Sequence, residues 1–113
     1  MLAKSFALGL LALFICQASA NFLLPTFGLY KLSHGLESFN PITACELFMR
    51  VCPSIAGKGG YGDCGPYKGV TALWCQGIGS NGDLEDRTSS VIDTINGSLE
   101  ASAHKWAIES MAI

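Results

Sequence analysis

The chain has 113 residues and a formal net charge of −2, and half of its residues are hydrophobic while only 14% are charged. This length allows one small domain. The acidic balance argues against nucleic-acid binding, which needs clustered lysine and arginine, and against a cationic membrane peptide.

The first twenty residues have the pattern of a secretory signal peptide. Lys4 precedes an apolar run over 6–15, and Ala18 and Ala20 supply the small residues of a signal-peptidase site. The run is too short for a bilayer, which needs roughly twenty apolar residues. We expect cleavage after Ala20 and a single secreted, extracellular domain over 21–113, without a transmembrane segment.

Residues 21–39 are an apolar arm interrupted by Pro25, Gly28 and Gly35. These interruptions predict a loose or short-helical segment. Its bulky side chains must either be buried or face a partner.

A helix is predicted over 41–52. Asn40 can cap it, Pro41 suits the first helical position, and Pro53 disfavours continuation. The apolar residues at helical spacing, which predict its buried face, are Ile42, Cys45, Phe48, Met49 and Cys52.

Four cysteines remain after signal cleavage: Cys45, Cys52, Cys64 and Cys75. An even number in a short secreted chain indicates two disulfides, whereas a zinc site usually takes ligands from closely spaced pairs. Cys45 and Cys52 lie about 10 Å apart along the predicted helix, which is too far for a bond to each other. Two pairings stay open, Cys45–Cys64 with Cys52–Cys75, or Cys45–Cys75 with Cys52–Cys64, and either one staples the region 40–77.

The glycine-rich stretch 53–69 predicts a loop, followed by one short strand over 70–75. Gly57, Gly59 and Gly62 match G-x-G-x-x-G, but a dinucleotide site needs a strand before these glycines and a helix after them. We therefore interpret the glycines as structural and expect no cofactor.

A turn is predicted at 80–83, and then a long amphipathic helix over 83–112. Its apolar residues recur mostly every three or four positions from Leu84 to Trp106, and its acidic start suits a helix dipole. A break at Gly97 is compatible with this pattern.

The sequence contains no catalytic constellation. The G-x-S-x-G nucleophile motif is absent, the cysteines are assigned to disulfides, and His34 and His104 have no local acid–base signature. We expect neither catalysis nor a metal site.

Two kinds of surface site are predicted. Asn96 opens an N-glycosylation sequon. Aromatic residues near the stapled loop and the C-terminal end are candidate partner contacts, since rigid aromatic side chains make good interface centres; they are Tyr61, Tyr67, Trp74 and Trp106.

The expected fold is a small, disulfide-stabilised, mostly helical α+β domain. It consists of a short helix, a glycine-rich loop with one strand, and the long C-terminal helix.

We expect a secreted, non-enzymatic effector of the toxin, defence or signalling class that binds an extracellular partner. A membrane-active defence or antimicrobial protein is the alternative, and a carrier of a small apolar ligand is a third hypothesis that requires a cavity.

Overall fold

The computed structural model describes residues 22–34, 40–98 and 105–113. In chain order these residues form β1 (Tyr30–His34), α1 (Pro41–Ala56), β2 (Tyr61–Tyr67), β3 (Val70–Ile78), β4 (Leu84–Asp86), α2 (Thr88–Gly97) and β5 (Ala107–Ser110). The described part is thus an α+β fold with a five-stranded antiparallel sheet and two helices. The prediction of a mostly helical fold is wrong, and the predicted signal peptide lies outside the described residues.

The centre of the sheet is β3. One of its edges pairs with β2 along the whole length of that strand. The other edge is shared, with β1 beside the first half of β3 and β4 beside its last three residues. The outer edge of β1 pairs with β5, so β2 and β5 lie at opposite ends of the strand order β2-β3-β1-β5.

Both helices pack on the same face of this sheet. The buried residues of α1 recur every four positions, which places them in one stripe; they are Ala44, Phe48, Cys52 and Ala56. From α2, Val91 and Ile95 join the same cluster, and Leu73 and Cys75 of β3 form its floor. This is the main hydrophobic core.

The apolar arm covers the opposite face of the sheet. The indole Nε1 of Trp74 donates to the carbonyl of Leu23 at 2.7 Å, and Gln76 Nε2 donates to the carbonyl of Phe27 at 2.9 Å. The described part of the arm therefore contains no helix: residues 22–29 are irregular and tied to the sheet, and residues 30–34 are β1. The edge of β3 supplied a pairing partner that the sequence pattern does not reveal.

Helix α1 begins as predicted and ends four residues later. The Asn40 side chain accepts a hydrogen bond from the Thr43 backbone N–H at 2.8 Å. The helix runs through Pro53 to Ala56 and is closed by Gly57, whose N–H donates to the Pro53 carbonyl at 3.0 Å. Proline removes one helical hydrogen bond, but burial of Ala56 against the sheet keeps the last turn in place.

The glycine-rich segment 53–69, predicted as a loop, contains the last turn of α1 and the seven residues of strand β2. It forms a tight hairpin with β3 through Lys68 and Gly69, which have φ values of 53° and 79°. Positive φ at both central positions is characteristic of a type I′ two-residue hairpin turn. Glycine and proline hide this strand from propensity-based reasoning, yet Pro66 is tolerated because β2 has only one pairing neighbour.

The predicted helix over 83–112 is also wrong. Residues 84–86 pair with β3 as β4, the helical residues among those described in this range are 88–97, and residues 107–110 pair with β1 as β5. The Thr88 hydroxyl accepts a hydrogen bond from the Cys75 backbone N–H at 2.9 Å, which fixes the start of α2 against β3. Pairing with the edges of β3 and β1 thus makes residues 84–86 and 107–110 strands, although the apolar residues have helical spacing.

Candidate functional site

The G-x-G-x-x-G glycines lie between a helix and a strand. Gly57 closes α1 with φ of 76°, and Gly59 lies in the following turn with φ of 86°. Gly62 is in β2, where an added Cβ would lie 2.4 Å from the Trp74 carbonyl oxygen. The order of elements is the reverse of a dinucleotide-binding turn. The glycines here allow positive φ values and a close approach of two strands.

The four aromatic residues singled out by the sequence lie in different environments. Trp74 and Trp106 are buried, with 0% and 4% of their surface exposed. Tyr67 stacks on Phe22 with ring centroids 5.4 Å apart. Tyr61 alone of the four is more than half exposed, and its ring meets the edge of Trp74. The four side chains do not form one surface, and partner contact by them stays a prediction.

The side chain of Asn96 is engaged within the fold. Its Nδ2 donates to the Trp106 carbonyl at 3.0 Å, and its Oδ1 accepts from the Trp106 N–H at 2.7 Å. The amide therefore acts like a strand partner and holds the start of the C-terminal segment. Glycosylation at Asn96 stays a prediction, since a glycan on Nδ2 would leave one N–H for this pairing.

The cysteines form Cys45–Cys64 and Cys52–Cys75, which is one of the two pairings that the sequence left open. The second disulfide is in the main core, with Cys52 and Cys75 almost completely buried. Cys45 and Cys64 are only partly buried. The first disulfide ties the N-terminal half of α1 to β2.

A hydrogen bond between two side chains links β1 to β4. The Tyr30 hydroxyl donates a short hydrogen bond to Asp86, whose other oxygen accepts from the Thr88 N–H at 3.0 Å. The hydrogen bond, partial burial and the negative charge of Asp86 raise the pKa of Tyr30 to about 12. This hydrogen bond joins β1 to β4, and the raised pKa keeps the tyrosine protonated at neutral pH.

An open apolar groove of about 970 Å³ lies beside the first disulfide. One wall is the N-terminal half of α1, and the other is the hairpin of β2 and β3. Cys45 and Cys64 contribute to the lining. Its principal apolar residues are Leu32, Pro41, Ile42, Met49, Pro66 and Val70. This volume is at the upper end of the roughly 300–1,000 Å³ typical of small-molecule sites.

The helical wall is apolar although it faces solvent. Ile42 is 74% exposed and Met49 is 36% exposed, whereas the buried stripe of α1 lies on another face of the helix. The sequence assigns both residues to the buried face because they share its spacing. Prediction of the helix thus found these residues but not their role as the wall of a groove.

Glu46 is the charged residue of the groove lining. It is exposed, and it has no ion pair with any described residue. No lysine or arginine is among the described residues of the lining. Two lysines of the sheet have other contacts: Lys31 lies 3.8 Å from Glu109, and Lys68 contacts the Ile113 carbonyl and the Tyr67 ring. The groove is therefore an apolar surface with one carboxylate.

Comparison with protein-family models, curated proteins and solved structures gives no match for this chain. Within the described ranges, no helix is long and apolar enough to cross a membrane. The same ranges contain no group of three histidine, cysteine or acidic residues that could hold a metal ion. His104 and the side chain of His34 lie outside the described residues, and the expectation of no catalysis stays a prediction.

Proposed function

We propose that this chain is a secreted, non-enzymatic binding protein that holds a small apolar partner in the groove between α1 and the β2–β3 hairpin. The observation that carries this proposal is the exposure of Ile42 and Met49 on the groove wall. A ligand that covers exposed apolar side chains removes them from water. This burial favours binding by about 25 cal/mol per Å² of apolar surface.

The covalent framework supports a preformed site. The Cys45–Cys64 disulfide joins the two walls, since Cys45 is in α1 and Cys64 is in β2. A wall held in place loses little conformational freedom on binding, which favours affinity. Two disulfides are also compatible with an extracellular location.

The proposal is tested by titration with Nile red, a neutral apolar dye whose fluorescence rises out of water. We expect saturable binding by the oxidised protein, and about tenfold weaker binding by Ile42→Ser, if the Ile42 contact contributes about 1.4 kcal/mol. Leu23→Ser is the matched control, because Leu23 is 59% exposed but lies outside the groove. Equal loss in both variants, or no binding, contradicts the proposal.

A membrane-active protein is the second candidate. The observation in its favour is the exposure of Leu23, Leu24 and Phe27 on the arm, at 59%, 47% and 40%. Burial of Trp106 removes that ring from the surfaces available for insertion. Dye release from neutral and anionic lipid vesicles that is lost in Phe27→Ala supports this candidate, and absence of release contradicts it.

A further inference from the structure

We infer that the groove selects amphiphiles with a positively charged head, such as a long-chain amine; this rests on the proposed function. The groove combines an apolar surface of small-molecule size with the single carboxylate of Glu46. A ligand that matches both features has an apolar body and one cationic or strongly donating group.

The charges around the groove favour a positively charged head group. Glu46 is on α1, four residues after Ile42 and three before Met49, so the three side chains share one face of the helix and all contribute to the groove lining. Lys31 contacts Glu109 and Lys68 contacts the Ile113 carbonyl. Arg50, one turn further along α1, is exposed and forms no ion pair with Glu46. Among the described residues the carboxylate therefore has no ion-pair partner and is available to a ligand cation.

An anionic amphiphile meets the opposite situation. Its head group would lie beside Glu46 without a lysine or arginine in the groove lining to compensate. Like charges at close range disfavour binding, and the repulsion weakens as salt increases. A fatty acid is therefore a poor ligand, while a neutral apolar molecule of the same length is intermediate.

Competition for bound Nile red tests this order. The competitors are dodecylammonium, dodecanol and dodecanoate, each below the concentration at which it forms aggregates. We expect dodecylammonium to bind about 1.5- to fivefold more tightly than dodecanol, which is the range for one solvent-exposed charge pair. Glu46→Gln removes that preference, and Asp93→Asn, which changes an exposed carboxylate of α2 outside the groove, retains it.

The outcomes separate the two proposals. Binding of Nile red in the groove with no preference among the three head groups, or with the preference intact in Glu46→Gln, overturns the inference and leaves the proposed function standing. No binding of Nile red overturns both. A concentration-dependent dimer that excludes the dye also overturns both, because a second copy then covers the groove.

Discussion

Replacement of Gly62 by alanine tests whether this position must be glycine so that β2 can lie close to β3 and the core disulfide. An added Cβ would lie 2.4 Å from the Trp74 carbonyl oxygen, 2.9 Å from Cys52 Sγ and 3.1 Å from Cys75 Cα. Ordinary contacts begin at 3.4 Å, so β2 and β3 would have to separate by about 1 Å. Because the obstacle is backbone and a disulfide, no side-chain rotation relieves it.

We expect Gly62→Ala to lower the free energy of unfolding by about 2 kcal/mol. Overpacking typically costs about 1–3 kcal/mol, and the smaller entropy of an unfolded alanine offsets only part of this cost. At about 4–8 °C per kcal/mol for a domain of this size, Tm falls by about 8–16 °C. Guanidinium unfolding of the oxidised protein, followed by tryptophan fluorescence, measures the change.

The matched control is Gly97→Ala. Beyond its chain neighbours and the helix backbone, no described atom lies within 4 Å of a Cβ at Gly97, which is at the end of α2 and does not have a positive φ. Alanine there stabilises by about 0.4–1 kcal/mol. A Gly62→Ala variant as stable as the parent protein would refute the close approach of β2 to the core disulfide.

Three further predictions concern the polar and covalent links. Mild dithiol treatment reduces the partly exposed disulfide Cys45–Cys64 before the buried one, as mass spectrometry after alkylation will show; the reverse order contradicts the burial argument. Asn96→Ala lowers the free energy of unfolding by about 1–3 kcal/mol, because the Trp106 backbone loses two hydrogen bonds, and a change below about 0.5 kcal/mol in urea unfolding contradicts this. The stabilisation from the high pKa of Tyr30 is complete below pH 10.0 and is lost as the pH rises to about 12, because the unfolded tyrosine ionises first; urea midpoints against pH show this loss in the parent and not in Tyr30→Phe.

Local signals in the sequence were sufficient for features that depend on neighbouring residues. The Asn40 cap and Pro41 correctly predict the start of α1, and helix geometry correctly excludes a Cys45–Cys52 bond. The turn at 80–83 is present, with the Gly79 N–H donating to the Asp83 carbonyl at 2.7 Å. Such features need no information about distant segments.

The missed strands all depend on a pairing partner. Strand β2 contains Gly62, Gly65 and Pro66, which are poor strand formers, and β3 pairs with all seven of its residues. Strand β5 has four residues, continues a helical spacing, and pairs with β1 from far along the chain. Pairing of this kind depends on an available edge, which the propensity of a single segment does not report.

The groove could be predicted only in part for the same reason. The helical spacing identifies Ile42 and Met49 as apolar positions of α1. Whether they are buried depends on where the β2–β3 hairpin lies, and the hairpin itself was not predicted. The exposed wall can therefore be recognised only when the position of the hairpin is known, and the Cys45–Cys64 disulfide fixes that position beside α1.

The measurement that tests the central claim most directly is amide chemical-shift mapping by NMR during titration with dodecylammonium. The account predicts saturable shifts concentrated on both walls of the groove, at Ile42, Glu46, Met49 and Val70. Shifts concentrated on the arm at Leu23 and Phe27, or no saturable shifts at all, would contradict the assignment of the groove as the binding site.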